Sequence, residues 1–386
     1  MTARARYFGI SLLLLVAGVS TPGFAQDMQE KLRALQTASI ADSHLYRPQQ
    51  TVDGCPENRV NRDPSRPIAE KLLAAAAQAR DYSNVHNGRA LLIMLDGKII
   101  HESYEGGTDK TTRFVSFSLH KSLVGMAIHA AIDDGIIPSY TARLGALVPA
   151  LADDPKKDIS LSNLMSMEGG LKLYSMSGAG KEAMALTFGS DIDAATLKLP
   201  VDAEPEATFS YNNSSAQLAG IALANALRSY SGESYSAYLH RRIWCPVGNA
   251  EASLWLDSEN GSPRYFAGLH ATLRDWAEIG EAFRSGLPDG TSFTALEHPS
   301  ATNPNYGRMV WLGAPENGQR RFSEENPLVI PHSAPYKTSD MVFFDGFGGQ
   351  RVYISKSTGL VIARFGDISL RFDDAIIPNL ILGALE

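Results

Sequence analysis

The stretch Arg113-Phe-Val-Ser-Phe-Ser-Leu-His-Lys-Ser122 places a serine, Ser118, three residues before a lysine, Lys121, and no other serine in the chain has a lysine at this spacing. Apolar residues follow with helical spacing until the run ends at Asp133-Asp134-Gly135. Residues three apart lie on the same face of a helix, so the amine can approach the hydroxyl. The pattern predicts a buried helix that begins at Ser118, with its positive end beside the serine.

The Ser118–Lys121 pair has the chemistry of a catalytic nucleophile and its base. A serine hydroxyl is a poor nucleophile until a neighbouring base takes its proton, and a desolvated lysine can titrate low enough to be that base. The alternative interpretation is a helix N-cap serine followed by a surface lysine. However, Lys121 lies in an otherwise apolar stretch, where a lysine needs a partner or a route to solvent. Serine–lysine catalysis is therefore chemically available.

A second polar segment precedes the next apolar helical run. In Glu206-Ala-Thr-Phe-Ser-Tyr-Asn-Asn-Ser-Ser215, the residues Tyr211 and Asn213 form a Tyr-x-Asn pattern. A phenol can relay a proton if nearby cations lower its pKa, and an amide side chain can orient both a lysine and a substrate. The alternative interpretation is an ordinary turn in which an asparagine caps the following helix. Tyr82-Ser83-Asn84 has the same pattern, but it precedes the serine–lysine pair and we treat it as a decoy.

These motifs belong to a series of six segments: Ser118-Leu-His-Lys121, Ile159-Ser-Leu-Ser-Asn-Leu-Met-Ser-Met-Glu-Gly-Gly-Leu171, Tyr211-Asn-Asn213, Gly268-Leu-His-Ala-Thr-Leu-Arg-Asp-Trp276, Tyr306-Gly-Arg-Met-Val-Trp311 and Gly346-Phe-Gly-Gly-Gln350. In this order they resemble the serine beta-lactamase and penicillin-recognising superfamily, in its class C, esterase and 6-aminohexanoate-dimer hydrolase branch. The resemblance covers roughly residues 85 to 366. It implies an α/β (α+β) fold, in which an antiparallel sheet flanked by helices meets a mostly helical subdomain at the active site.

The resemblance also implies roles for individual residues. Ser118 is expected to be the acylated nucleophile, Lys121 its base partner, Tyr211 a proton relay and Asn213 an orienting group. The backbone N–H of Ser118 would form half of an oxyanion hole. The second N–H is expected from Asp345, Gly346 or a near neighbour.

The third motif departs from the pattern of lactamases and peptidoglycan enzymes, which place Lys-Thr-Gly on a strand beside the serine. The corresponding stretch here, Phe343-Phe-Asp-Gly-Phe-Gly-Gly-Gln350, contains no lysine. That lysine normally helps to hold the carboxylate of a beta-lactam or a D-Ala-D-Ala terminus, so its absence argues for another substrate. Lys337-Thr338-Ser339 lies just upstream and is the alternative, displaced version of the motif.

Three further residues have a structural role as their main or alternative interpretation. Tyr174, in the loop between the motifs, is a candidate to close over a substrate or to form a wall of the site. Trp311 lies in an apolar, strand-like run and is predicted to be a core residue. His120 projects to another side of the helix from the serine and lysine, so we predict a packing or surface role.

The N-terminus predicts the compartment. Arg4 and Arg6 precede the apolar run from Phe8 to Ser20, and Gly23-Phe-Ala25 offers small residues for cleavage. This pattern is typical of a secretory signal peptide over residues 1–25, with an uncleaved anchor as the alternative. We therefore expect a secreted or periplasmic protein with no stable membrane span after cleavage.

Composition excludes several classes of function. Removal of residues 1–25 leaves 361 residues with a formal charge of −9, and such an acidic chain argues against nucleic acid as a partner. Cys55 and Cys245 are the only cysteines, and whether they pair stays open. No histidine pattern suits a metal, so neither a metal nor a cofactor is predicted.

Periodicity outlines the chain beyond residue 25. Residues 26–65 are predicted to be an irregular arm with a short helix near 28–37, and residues 66–386 the hydrolase domain with a helical subdomain at about 125–300. Helices are predicted over 66–81 and 375–385, and hairpins over 90–101 and 350–364. Strands near both ends of the chain therefore imply one sheet built from both.

Together these features predict an exported serine hydrolase that acylates Ser118 and releases the acyl group to water, acting on a small-molecule ester or linear amide. One alternative is a penicillin-binding or lactamase-type enzyme that acts on cell-wall peptides or lactams. The other is a non-catalytic, ligand-binding member of the fold.

Overall fold

Two antiparallel sheets and a small hairpin form the strand framework of the protein. The computed structural model describes residue 35 and residues 37–386, except residues 66, 175–180, 324, 325 and 327. The described strands are β1 (Gln49–Val52), β2 (Gly88–Leu95), β3 (Lys98–Tyr104), β4 (Arg113–Val115), β5 (Ala252–Trp255), β6 (Leu269–Thr272), β7 (Trp311–Leu312), β8 (Gln319–Arg321), β9 (Val329–Pro331), β10 (Val342–Gly346), β11 (Gln350–Ser355) and β12 (Leu360–Gly366).

The larger sheet has the order β3-β2-β12-β11-β10-β7 and combines strands from both ends of the chain, as predicted. The two predicted hairpins, β2–β3 and β11–β12, lie side by side because β12 pairs with β2. At the Asp96-Gly97 turn both residues have positive φ, which suits a tight hairpin connection. The antiparallel sheet and its covering helices confirm the predicted fold class.

Helices cover both faces of the larger sheet. The described helices are α1 (Glu70–Val85), α2 (Leu119–Asp133), α3 (Leu144–Leu147), α4 (Leu161–Met165), α5 (Lys181–Phe188), α6 (Ile192–Leu197), α7 (Asn213–Ser231), α8 (Tyr235–Leu239), α9 (Leu273–Ser285) and α10 (Ile376–Gly383), and a π-helical turn, His240–Trp244, continues α8. On one face, Gly280 of α9 lets the helix lie close against Val352 and Val361. On the other face, α1 packs against α10 and β2. None of the described helices is both long and apolar enough to cross a membrane.

The second sheet, of order β1-β5-β6-β4, was missed by the sequence analysis. Strands β5 and β6 lie in the segment expected to be mostly helical, and β1 lies in the arm expected to be irregular. Every residue of β5 and β6 is buried, so neither strand shows the alternation of polar and apolar residues that identifies a half-exposed strand. This sheet leads directly into the active-site helix, because β4 ends at Val115.

Some predicted boundaries also change. Helix α1 begins later than predicted, after Pro67, and continues to Val85. The decoy Tyr82-Ser83-Asn84 lies inside it, and Ser83 packs against Arg364. Most of the helix predicted near 28–37, and the signal peptide, lie outside the described residues.

The two cysteines form a disulfide between Cys55 and Cys245, which settles the pairing that the sequence left open. The bond joins residues separated by 190 positions, with a Cα–Cα distance of 4.9 Å. It therefore ties the N-terminal arm to the end of the π-helical turn.

Candidate active site

The Ser118–Lys121 pair lies where β4 gives way to α2. Ser118 is the N-cap residue of α2, but its side chain makes no capping hydrogen bond. Lys121 Nζ instead lies 2.7 Å from Ser118 Oγ. The lysine is only 1% exposed, so the alternative of a capping serine with a surface lysine is wrong.

Lys121 has three hydrogen-bond partners, one for each position around its amine. Besides Ser118, it contacts Asn213 Oδ1 at 2.8 Å and the carbonyl oxygen of Phe266 at 3.1 Å. Burial lowers the pKa of Lys121 to about 7, while the Asp345 carboxylate opposes this effect. Asn213 Oδ1 and the Phe266 carbonyl can only accept hydrogen bonds, so they hold the two N–H donors of a neutral amine. The remaining lone pair then faces the Ser118 hydroxyl.

Tyr211 completes the group from the segment before α7. Its hydroxyl lies close enough to Ser118 for that residue to act on its pKa, and Lys121 Nζ lies 4.8 Å from the centre of its ring. Burial and the Asp345 carboxylate raise the pKa of Tyr211 above its usual value, against the smaller opposing effects of Ser118, Arg320 and Arg351. The cations near Tyr211 therefore do not give a net lowering of its pKa, and the phenol stays protonated at neutral pH.

The sequence left open whether an asparagine before α7 caps the helix or orients Lys121, and two adjacent asparagines do one each. Asn212 is the N-cap of α7, and its side chain accepts a hydrogen bond from the N–H of Ser215 at 2.7 Å. Asn213 is the first helical residue and turns its side chain to Lys121. The helix start is therefore secured by one amide while the next is available to the site.

Aromatic rings hold Tyr211 in place. Its ring centre lies 5.5 Å from that of Trp311, 5.8 Å from Tyr306 and 5.2 Å from Phe322. The N–H of Tyr211 also donates to the carbonyl of Phe322 at 2.8 Å. Trp311 is a core residue, as predicted, but it also supports a candidate catalytic side chain.

The third-motif strand, β10, passes directly beside the serine turn. A Cβ atom at Gly346 would contact Leu119 Cδ1 and would lie 2.6 Å from the carbonyl oxygen of Ser116, so only glycine fits there. Phe117, just before the serine, has a φ of +47°, a strained value for a bulky residue. Its ring lies 6.1 Å from that of Phe347. The structure thus brings Gly346 to the serine, as the sequence predicted, while nothing in the sequence signalled the strain at Phe117.

The register of β10 bears on the choice of oxyanion donor. Gly346 lies opposite Gln350 of β11, and on the other edge the carbonyl of Met341 accepts a hydrogen bond from Gly313. Backbone groups alternate between the two edges of a strand. The N–H of Asp345 therefore points to the edge of β10 that pairs with β7, at a position past the end of that pairing. The N–H of Gly346 points to the other edge, toward β11. Of these two predicted donors, Gly346 is the less suitable.

The side chain of Asp345 belongs to a buried ionic cluster. Arg320 donates to Asp345 Oδ1 at 3.0 Å, and Arg351 forms an ion pair with the same oxygen. Asp374 accepts from both arginines, at 2.9 Å from Arg320 and 2.8 Å from Arg351. All four side chains are at most 5% exposed. The sequence pattern indicated Asp345 but not its three partners, which come from distant segments without a shared motif.

Other predicted residues lie outside this group. Tyr174 is partly exposed, and Lys172 Nζ lies 5.8 Å from the centre of its ring. Lys337 pairs with Glu386 at 3.1 Å, so it is not a displaced third-motif lysine. His120 is fully buried beside Tyr235, and burial lowers its pKa to about 3, in line with the predicted packing role.

One cluster among the described residues has atoms that suit a metal ion. Atoms of Cys55, Cys245 and His240 lie within 4.8 Å of one another. The two sulfurs are joined as a disulfide, however, and only a thiolate is a good metal ligand. In this state the cluster is a covalent cross-link.

The structure has an antiparallel sheet with covering helices, and a serine–lysine–tyrosine group between its third-motif strand and helices α2 and α7. These features define the class of serine hydrolases with a beta-lactamase fold. Comparison with protein families agrees. The chain belongs to the Beta-lactamase family, whose sequence profile matches residues 73–374. No curated protein sequence matches the chain.

Solved structures share the fold at low sequence identity. A Bacillus anthracis protein named as a candidate 6-aminohexanoate-dimer hydrolase has a TM-score of 0.67 and 18% identity, over 90% of this chain and 91% of that one. A family VIII carboxylesterase has a TM-score of 0.57 and 14% identity, over 83% and 98% of the two chains. A penicillin-binding protein homologue from Caulobacter crescentus has the same TM-score and identity, over 83% and 99%. The resemblance seen in the sequence is thereby confirmed at the level of the family and fold.

Proposed function

We propose that this protein is a serine hydrolase that uses Ser118, Lys121 and Tyr211 to form and hydrolyse an acyl-enzyme, with small esters or linear amides as substrates. The observation that carries the proposal is the geometry of Lys121. Its amine is buried, has a pKa near neutrality and lies 2.7 Å from the serine hydroxyl. A structural lysine would be expected to pair with a carboxylate or to reach solvent instead.

In the acylation step, Lys121 Nζ takes the Ser118 proton as Oγ forms a bond to the substrate carbonyl carbon. The negative charge that develops on the carbonyl oxygen needs hydrogen-bond donors. The N–H of Ser118 at the start of α2 and an N–H from β10, with that of Asp345 as our preferred candidate, would supply them. The tetrahedral intermediate then collapses and expels an alcohol or an amine.

The leaving group needs a proton at the moment of its departure. Tyr211 is suited to supply it because burial keeps the phenol protonated and its hydroxyl lies close to Ser118. The Lys121 ammonium then returns a proton to the phenol oxygen, which restores the neutral pair. In deacylation a water molecule attacks the ester carbon, the same groups take and return its proton, and the carboxylic acid product leaves.

The absence of a lysine at the third motif supports esters and linear amides over lactams and cell-wall peptides. Asp345 stands in this motif, and Lys337, the one alternative, is paired elsewhere. Strand β10 therefore offers no lysine to hold a substrate carboxylate. Neighbours named as an esterase and a 6-aminohexanoate-dimer hydrolase are consistent with this choice, although they share the fold only.

Export of the protein is a further part of the proposal. The residue pattern over 1–25 predicts a signal peptide, and the Cys55–Cys245 disulfide is of a kind that persists in oxidising compartments. Intact mass of the protein recovered from the periplasm or medium of an expression host would show loss of residues 1–25. A full-length protein retained in the cytoplasm would contradict export.

Hydrolysis assays test the catalytic proposal. Purified protein should cleave short p-nitrophenyl esters and a linear amide dimer but turn over penicillin poorly. Ser118→Ala should abolish this activity, whereas Ser122→Ala, one turn further along α2 and bonded to the carbonyl of Met309, should retain it. Preferred turnover of lactams would instead favour the penicillin-binding alternative, and no turnover of any substrate would favour a non-catalytic protein.

A further inference from the structure

The third-motif strand of this chain carries a buried carboxylate, that of Asp345. Asp345 lies on β10 opposite Arg351 of β11, and its carboxylate is 5% exposed. Arg320 reaches the same oxygen from β8. Two arginines from two different strands thus hold one carboxylate in the strand that lies against the serine turn.

Aromatic contacts connect this cluster to the catalytic candidates. The Arg320 guanidinium lies 4.4 Å from the centre of the Trp311 ring, and that ring packs against Tyr211. Gly346, the residue after Asp345, lies against the turn that carries Ser118. The carboxylate is therefore fixed relative to both proton carriers rather than free to rotate away from them.

The groups that face Lys121 can be named element by element. Ser118 comes from α2, where the adjacent His120 points away to Tyr235 and is neutral. Tyr211 and Asn213 come from the segment before α7 and from α7 itself, and β10 contributes Asp345. Behind Asp345 lie Arg320 and Arg351, which also face Tyr211. Among the described residues, Asp345 is the carboxylate whose charge acts on both Lys121 and Tyr211.

We propose that Asp345 is a positioning residue for catalysis: its carboxylate, clamped by Arg320 and Arg351, favours the protonated forms of Lys121 and Tyr211 and so sets the pH range in which the pair works. This inference rests on the proposed function, because it concerns the same proton carriers. The residue acts through Lys121 and Tyr211 and needs no contact with substrate.

The sign of the effect follows from the charge. A nearby negative charge stabilises an ammonium and destabilises a phenolate, so Asp345 raises the pKa of both Lys121 and Tyr211. Loss of that charge should let Lys121 become neutral at lower pH. The acid limb of Ser118 acylation should therefore move to lower pH.

Asp345→Asn is the test variant and Asp374→Asn the matched control. Both remove one buried carboxylate from the same pair of arginines, but Asp345 is the carboxylate that raises the pKa of Lys121. The rate of Ser118 labelling by a fluorophosphonate is measured from pH 5 to 10. We expect the midpoint of the acid limb to fall by about one pH unit in Asp345→Asn, and by much less in Asp374→Asn. Equal shifts in the two variants, or no shift in either, would overturn the proposal.

A second variant keeps the proposal testable if the first variant does not fold. If Asp345→Asn does not fold, Asp345→Asn/Arg351→Gln removes one charge of each sign and should show a smaller shift in the same direction, because loss of the Arg351 charge opposes it. NMR titration of ¹³C-labelled lysine, with the Lys121 signal assigned from Lys121→Met, gives a readout that does not depend on catalysis. If Ser118 of the wild-type protein is not labelled, the proposed catalytic function is wrong. If the wild-type protein is labelled but the pKa of Lys121 is the same in the variant, only the proposed role of Asp345 is wrong.

Discussion

Replacement of Asn213 by aspartate is a sharp test of Lys121 as a base. The change is nearly isosteric, and it places a carboxylate 2.8 Å from the buried amine in the position of Asn213 Oδ1. A charge at this distance should raise the pKa of Lys121 by about two units, from about 7 to about 9. The neutral fraction at pH 7 would fall from about one half to about one hundredth, so acylation should slow roughly fifty-fold. Because a higher pKa moves the neutral form to higher pH, most of the rate should return near pH 10.

The assay is the pH dependence of kcat/KM with a p-nitrophenyl ester, corrected for spontaneous hydrolysis. Asn212→Asp is the matched control, because Asn212 caps α7 and aspartate is also a good capping residue. It should leave the acid limb in place. A loss of rate in Asn213→Asp that is equal at every pH, with an unmoved acid limb, would show that Lys121 is not the group whose protonation controls the rate.

Three other variants give independent predictions. Lys121→Met should abolish activity yet raise the free energy of unfolding by roughly 2 kcal/mol at pH 7. The native pKa of Lys121 lies below the 10.5 of an ordinary lysine, so the gain should grow as pH falls from 10 to 7 in urea titrations, and a pH-independent gain would contradict the cause. Gly346→Ala should cost roughly 1–3 kcal/mol in urea unfolding and reduce kcat/KM, because the new methyl group meets Leu119; full activity would refute the close approach. The double variant Cys55→Ser/Cys245→Ser should lose roughly 2–5 kcal/mol of stability in the same assay with kcat/KM intact, and an equally stable variant would show that the cross-link has no stabilising role.

The sequence could predict the parts of the site that depend on local spacing. The positions of Ser118 and Lys121 three residues apart, followed by an apolar run, were enough to place both on one face at the start of a buried helix. The hairpins were equally accessible, because Asp96-Gly97 is a strong turn signal between two apolar runs. The ordered motifs then connected these local features to one fold.

Features built from long-range contacts could not be predicted in this way. The carbonyl of Phe266 contacts Lys121 across 145 residues, and a backbone carbonyl leaves no trace in side-chain identity. The sequence pattern was enough to propose Asp345 as a site residue. Its ion pair with Arg320, which also binds Asp374, forms only when β8 and the segment after β12 meet at β10. The effect on Tyr211 was also missed, because burial outweighs the nearby arginines and raises its pKa.

The second sheet could not be predicted because its strands are short. Strand β4 has three residues, and β1, β5 and β6 have four each. Such short strands give too few positions for a period of two to be recognised, and complete burial of β5 and β6 removes the alternation. The pairing of β1 with β5 also depends on an arm that looks irregular when considered alone.

Intact-mass spectrometry after treatment with a fluorophosphonate tests most directly whether Ser118 is the nucleophile. We expect a single adduct on the wild-type protein that is lost in Ser118→Ala, kept in Ser122→Ala and formed much more slowly in Lys121→Met at pH 7. An adduct that persists in Ser118→Ala, or a wild-type protein that takes up no probe between pH 7 and 10, would contradict the account.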